Sequence, residues 1–399
     1  MKSVGKRDLK SVDPRGQSLD HLSRNIVPLR SFSMSRGLSE AVFRSLTRCS
    51  PLVSWVGIAF LSWTLCGSTA AQTTVIHAER KTLQIYLVDV EGGQATLFVT
   101  PAGQSLLIDT GWPDNNGRDA DRIVAAAKKA GISKIDFVLI THFHNDHVGG
   151  APQLADRIPI QTFIDHGENR ENTDQPTVQA WQAYQKLLAS GKYKRIVAKP
   201  GLVLPIRGIE ATVIGSDGNL IGNSLPGAGQ ENSYCRNAEQ YPVDQTENLR
   251  SLGTLITFNK LRILDLGDLT RDQEGKLMCP VNKLGKIDIY IVSHHGWYQS
   301  GSPAFVYGIT PRVAIMDNGA KKGGTPSAWD ILKKSPGLED LWQLHYSDEG
   351  GPAHNVGSEF IANPEGPDAA NYLKLSAWPD RSFDVFNSRT QQNKKYPPR

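Results

Sequence analysis

The run Thr141-His142-Phe143-His144-Asn145-Asp146-His147-Val148-Gly149-Gly150 constrains this chain more than any other stretch. It follows Phe137 to Ile140, an apolar segment that reads as a buried strand. It gathers three of the chain's 10 histidines and a carboxylate into one hexapeptide. His142 and His144 are two apart, so on an extended backbone both side chains leave one face and can reach one cation. Asp146 and His147 follow as the chain turns over the strand end, where they can reach a second. The plain alternative is a histidine-rich polar loop, and the concentration of imidazoles argues against it. The spacing predicts a site for two divalent metal ions. Zinc is the first expectation; manganese is allowed because an oxygen-richer donor set suits a harder ion.

His-x-His-x-Asp-His followed by a Gly pair resembles the metallo-β-lactamase superfamily. The resemblance implies an α/β fold, a four-layer αββα sandwich, with hydrolysis driven by one or two metal ions. Val88-Asp89-Val90-Glu91-Gly92-Gly93-Gln94-Ala95, followed by Leu107-Ile108-Asp109-Thr110-Gly111, resembles the opening of one branch of that family. Asp109 would there orient a metal-bound histidine through the ring nitrogen not used for coordination, with a turn-capping role as the simpler alternative. Leu264-Asp265-Leu266-Gly267-Asp268-Leu269 resembles the family's Gly-Asp turn, whose Asp bridges two ions. That points to Asp268, with Asp265 as the competitor inside the strand run.

Ser293-His294-His295-Gly296-Trp297, with Ser300 and Ser302 beyond it, matches the closing motif of the branch typified by the extracellular hydrolase domain of ComEC-type DNA-uptake channels. Adjacent side chains at a strand end point apart. His294 is therefore assigned to metal beside His142, His144, Asp146, His147 and Asp268, while His295 is assigned to substrate and, with Asp146, to catalysis. One family histidine is missing. Asn248 stands about twenty residues before the Gly-Asp pair, where an imidazole is expected, and a neutral amide oxygen is a weaker zinc ligand. His166, in Phe163-Ile164-Asp165-His166-Gly167, is the candidate replacement, with water or an uninvolved loop histidine as alternatives. Asn318, His345 and His354 match later segments loosely and default to the surface. The resemblance spans Leu83 to Tyr346.

The amino-terminal region reads as an export signal. Arg36, Arg44 and Arg48 precede an apolar run from Pro51 to Leu65, and small residues lead to Ala71, the expected cleavage site. The run is short for a membrane span, so no stable span is expected after cleavage. Met34 would begin a signal of ordinary design and is read as the true start. Residues 1–71 hold 10 Lys/Arg against 4 Asp/Glu, leaving 34 against 36 beyond them, a balance that makes no case for a nucleic-acid-binding surface. Removing the leader also removes Cys49 and Cys66, leaving Cys235 and Cys279 as a possible disulfide in an oxidising compartment.

Beyond the leader, residues 72–387 read as one hydrolase domain and 388–399 as a frayed polar tail. Short strands are expected over Leu83 to Val90, Gln94 to Val99, Ser105 to Ile108, Phe137 to Ile140, Thr162 to Ile164 and Ile209 to Ile214. More follow over Leu255 to Phe258, Arg262 to Leu266, Ile287 to Val292, Val313 to Met316 and Leu341 to Tyr346. Helices are expected over Arg118 to Ala130, Val178 to Leu188 and Ala328 to Lys333. Ser216 to Asn248 has no periodicity and reads as a loop that can flank the site.

These readings converge on a secreted or periplasmic hydrolase using a metal-bound hydroxide on a phosphodiester or related phosphoester, whether small molecule or polymer. A lactone or β-lactam hydrolase is the alternative of the same class. A non-catalytic metal-binding or sensor protein on the same fold is the alternative of another class.

Overall fold

The computed structural model describes residues 82–399. The leader, Met34, Cys49, Cys66 and the Ala71 cleavage site lie outside the described residues. The strands, in chain order, are β1 (Leu83–Leu87), β2 (Thr96–Val99), β3 (Ser105–Ile108), β4 (Ile135–Leu139), β5 (Ile160–Asp165), β6 (Lys194–Val197), β7 (Glu210–Ser216), β8 (Asn219–Leu220), β9 (Gln230–Glu231), β10 (Gly253–Phe258), β11 (Leu261–Asp265), β12 (Val281–Asn282), β13 (Ile289–Ile291), β14 (Val313–Met316), β15 (Asp340–His345), β16 (Ile361–Asn363), β17 (Leu373–Ala377), β18 (Phe383–Asn387) and β19 (Gln392–Tyr396). The helices are α1 (Arg118–Lys129), α2 (Asn145–Val148), α3 (Ala151–Ala155), α4 (Gln175–Ala189), α5 (Arg271–Met278), α6 (Pro303–Ile309) and α7 (Pro326–Lys333).

A nine-stranded sheet runs β19-β18-β17-β1-β2-β3-β4-β5-β6, an eight-stranded sheet runs β16-β15-β14-β13-β11-β10-β7-β8, and β9 with β12 forms a small ribbon. Period-two alternation decides what each face covers. Leu83, Ile85 and Leu87 of β1 meet Ile256, Ile263, Ile289 and Val313 of the other sheet in a shared core. The opposite face of the first sheet, with Leu97, Leu107 and Val138, packs against Ile123 and Ala127 of α1, Leu154 of α3 and Trp181 of α4. On the outer face of the second sheet, Leu264, Tyr290 and Ala314 pack against Leu277, Phe305 and Leu332 of α5, α6 and α7. Helices thus cover both outer faces of two stacked sheets, the expected αββα sandwich. The inner strands β13 and β14 are buried on both faces, which is why they read as unbroken apolar runs.

β3, β4 and β5 are parallel neighbours, as are β11, β13, β14 and β15. The turns at their carboxyl ends bear Asp109, the histidine cluster, Asp268, His294-His295 and the loop after Asp317, and the crevice outside such strand ends is where open α/β sheets place ligands.

One expectation is corrected. The polar tail is not frayed: β19 pairs antiparallel with β18, and Tyr396 is buried, its hydroxyl donating to Asp340 Oδ2 and accepting from Trp342 Nε1. An edge strand needs only one anchoring aromatic, so its other side chains stay polar and hide the strand from a pattern reading. Beyond Tyr346, where the resemblance ends, β17 is the hydrogen-bonded neighbour of β1.

The stretch from Ser216 to Asn248 is largely irregular, as expected. Cys235 bonds to Cys279 at the end of α5, with Cα atoms 5.6 Å apart. Among the described residues, no helix is long and apolar enough to cross a membrane.

Candidate metal centre

Asp109 organises the turn after β4. Thr141 donates to it twice, from N to Oδ1 at 2.8 Å and from Oγ1 to Oδ2 at 2.7 Å. The same Oδ2 stands 2.7 Å from His147 Nδ1, which leaves Nε2 of that ring directed inward. Asp109 is fully buried and adopts φ +60°, a conformation that non-glycine residues avoid unless the surroundings impose it. Asp109 thereby orients the His147 ring.

Two groups of donors meet above this turn. In the first, His142, His144 and Asp268 bring ligand atoms within 4.8 Å of one another. His142 Nε2 faces His144 Nδ1 at 3.0 Å, and the other nitrogen of His144 rests 3.0 Å from Glu171 Oε2. In the second, Asp146, His147, Asp268 and His295 satisfy the same limit. Asp268 belongs to both: its Oδ2 lies 3.9 Å from His142 Nε2 and 3.3 Å from His147 Nε2, and its Oδ1 lies 3.6 Å from His295 Nε2. Asp265, the competitor, is outside both groups. It accepts from Gln94 Nε2 at 2.7 Å and Gly267 N at 3.1 Å, bracing the turn that presents Asp268.

Of the adjacent histidines, His295 rather than His294 falls in a donor group. His295 Nε2 lies 3.3 Å from both Asp146 Oδ2 and His147 Nε2. His294 is outside both groups, with Nε2 3.4 Å from Asp268 Oδ2 and Nδ1 3.3 Å from Ser300 Oγ. The alternation argument fails here because neither residue is extended: His294 has φ +55° and His295 φ +54°.

Electrostatics separates the pair too. Burial lowers both pKa values, but Asp268, Asp317 and Asp146 bring His295 up to about 9, while His294 stays at about 4. Burial alone would raise the Asp146 and Asp268 carboxyls. Lys322 and His147 at Asp146, and His147, His294 and His295 at Asp268, hold them well below the usual carboxylate range.

His166, the candidate replacement for the missing imidazole, is in neither donor group. It is buried against the Phe143 ring with Nε2 2.9 Å from Glu247 Oε2. Glu247 in turn accepts from Phe143 N and Arg170 N. The pair braces the histidine turn from behind. Asn248, next in the helical turn Glu247–Arg250, is buried, and its Oδ1 has no hydrogen-bond partner in the protein. Asp268 Oδ1 likewise accepts no hydrogen bond. His345 and Asn318 are buried rather than at the surface: His345 Nε2 is 2.7 Å from Asp89 Oδ1, and Asn318 Nδ2 donates to His345 O at 2.8 Å.

Glu171 and Lys322 were not visible as site residues in the sequence. Glu171 sits in a polar loop 27 residues beyond His144, and Lys322, whose ammonium pairs with Asp146 Oδ2, is 176 residues away from it. Neither belongs to a spaced motif. Tyr241 and Val243 of the irregular segment join Thr270, Arg271 and Tyr298 around a cavity of about 470 Å³.

Residues 88–229 match the Metallo-beta-lactamase superfamily profile. A UPF0173 metal-dependent hydrolase of Cupriavidus metallidurans is 36% identical over 90 residues, covering 22% of this chain and 28% of that protein. Recombination protein 2 of Haemophilus influenzae is 25% identical over 241 residues, covering 60% of this chain and 25% of that protein. The chain thus spans about a quarter of the length of these curated relatives. Among solved structures, the metallo-beta-lactamase fold protein YhfI from Bacillus subtilis aligns with a TM-score of 0.41 at 14% identity, covering 66% of this chain and 96% of that one.

Proposed function

We propose that this protein is an exported metal-dependent hydrolase that takes two divalent ions, zinc first among them, and cleaves a phosphodiester or related phosphoester. One observation carries the reading: the Asp268 carboxylate is common to two groups of buried donors. The donor set fits metal. Three buried carboxylates, Asp109, Asp146 and Asp268, crowd five imidazoles, His142, His144, His147, His294 and His295, and Asp268 Oδ1 and Asn248 Oδ1 lack hydrogen-bond partners. Each unsatisfied buried atom costs about 1–3 kcal/mol, a cost that coordination offsets.

His142, His144 and Asp268 would hold one ion, with Asn248 as the further oxygen donor, and Asp146, His147, His295 and Asp268 would hold the other. When bound, the ions supply Lewis acidity and bring the pKa of water toward neutrality. Asp109 and Glu171 fix the rings of His147 and His144 through the nitrogens turned away from the cluster, a support that sets ligand orientation and basicity. Asp146 orients the attacking water, and His294, outside both donor groups, is the histidine left to meet substrate. The Ser-His-His-Gly resemblance supports the phosphoester. The leader pattern and the Cys235–Cys279 disulfide support a secreted or periplasmic location.

The test is a hydrolysis screen of zinc- or manganese-loaded protein against phosphodiester, phosphomonoester, lactone and β-lactam reporters. Phosphodiester turnover that a chelator abolishes and added metal restores is expected. Turnover confined to lactone or β-lactam would overturn the substrate, and no turnover by fully loaded protein would favour a sensor.

A further inference from the structure

Lys322 lies in the loop between β14 and α7, and its ammonium pairs with Asp146 Oδ2. That oxygen also stands 3.2 Å from His147 Nε2 and 3.3 Å from His295 Nε2, so it is the oxygen that faces the second donor group. The chain is shaped to bring Lys322 there. Gly319 N donates to Lys322 O, closing a tight turn, and Gly324 N donates to His295 O. A Cβ at Gly92 would come within 2.9 Å of both Gly319 N and Lys322 Cβ, and one at Gly93 within 2.4 Å of Asp146 O. The Glu91-Gly92-Gly93 turn is therefore bare where the lysine loop and the histidine turn press on it. The ammonium also stands 5.1 Å from the Trp112 ring centroid, within cation–π range. About a third of the Lys322 side chain, 32%, reaches solvent, whereas Asp146, His147 and His295 are buried, so Lys322 forms the outer wall of the group.

A dication held through Asp146 Oδ2 would share one carboxylate oxygen with this ammonium, and two cations on one oxygen repel. Asp146 and Asp268 are the anionic members of the donor groups, whereas Asp109, Glu171 and Asp317 stand behind the rings of His147, His144 and His295, so the positive charge of the ions and of Lys322 is least offset on the side where Lys322 stands. The arrangement is balanced when an anion enters beside them. We propose that Lys322 is the anion-binding residue of this centre: with the ions in place, its ammonium takes a negatively charged oxygen of the substrate and selects phosphoesters over neutral esters. This rests on the metal-hydrolase reading and supplies the substrate charge that reading leaves open.

The test uses the metal-loaded protein, its Lys322→Met and Lys322→Arg variants, and Lys321→Met, which alters the exposed neighbour. Inorganic phosphate is titrated calorimetrically, and metal is measured by elemental analysis on the same samples. Lys322→Met is expected to weaken phosphate binding about 10- to 100-fold, the scale of a lost charged hydrogen bond, with metal content unchanged. Lys322→Arg should recover part of the affinity, and Lys321→Met should match the parent. With a phosphodiester reporter, Lys322→Met should raise KM more than it lowers kcat and reduce preference over a neutral nitrophenyl ester. Unchanged phosphate affinity in Lys322→Met overturns the proposal. So does a gain of a second metal equivalent in that variant, because Lys322 would then be standing in for a cation. A parent that binds phosphate through Lys322 but hydrolyses no reporter sinks the hydrolase reading and leaves this one intact.

Discussion

The donors from the first sheet arrive together on one turn after β4, whereas those from the second arrive singly, on the turns after β11, β13 and β14. His142, His144, Asp146 and His147 share a backbone braced by Asp109, Thr141 and Glu247, so their mutual placement is local. Asp268, His295 and Lys322 converge because β11, β13 and β14 are adjacent and parallel, and their placement depends on strand register and on two histidines held at positive φ. A local half can be dense and uniform in ligand type. A distributed half can combine a bridging carboxylate, an imidazole and an ammonium, each adjustable in its own loop.

Substitutions in the distributed half break this comparison most sharply. Asp268→Ala removes the one group common to both donor sets, and should weaken both metal equivalents and lower turnover at least about 10³-fold, as read by elemental analysis and reporter kinetics. His295→Ala should lose one equivalent of metal. His294→Ala should keep both and lower turnover by roughly 10²-fold, so the two variants differ in metal content more than in rate. The reverse pattern would restore the assignment expected from sequence.

The smallest effect concerns how the halves are clipped together. His345 on β15 bonds Asp89, just past β1, and Arg122 holds the other oxygen of Asp89 at 3.0 Å. Burial lowers the His345 pKa, but the Asp89 bond and charge, with Glu91, raise it above its ordinary value on balance. The pair's stabilisation is therefore full below the ordinary histidine pKa and is lost as pH rises through the raised folded value. His345→Gln should cost about 1–2 kcal/mol in urea unfolding near pH 6 and less near pH 9. A loss that grows with pH would contradict the charged pair.

The comparison also explains what could be read in the amino-acid sequence. β1 and β14 and the core of α1 were legible because burial on one or both faces writes a period into the residues. The first-sheet donors were legible because a single turn needs no knowledge of topology. Asp268 was legible through resemblance, not pattern. The order of His294 and His295 was not, because alternation presumes extended backbone. The role of His166 stayed open because a buried imidazole at a strand end looks the same from sequence whether it braces Glu247 or binds metal. β19 was hidden by the polar face of an edge strand. Lys322 and Glu171 had no local signal, since only the folded turns bring them to Asp146 and His144.

The central claim is a two-ion centre bridged by Asp268, and the most direct measurement is metal stoichiometry of dialysed, folded protein combined with anomalous diffraction from its crystals. The expected result is two divalent ions, one among His142, His144 and Asp268 and one among Asp146, His147, His295 and Asp268. Folded protein with no stoichiometric metal, or a single ion away from Asp268, would contradict it.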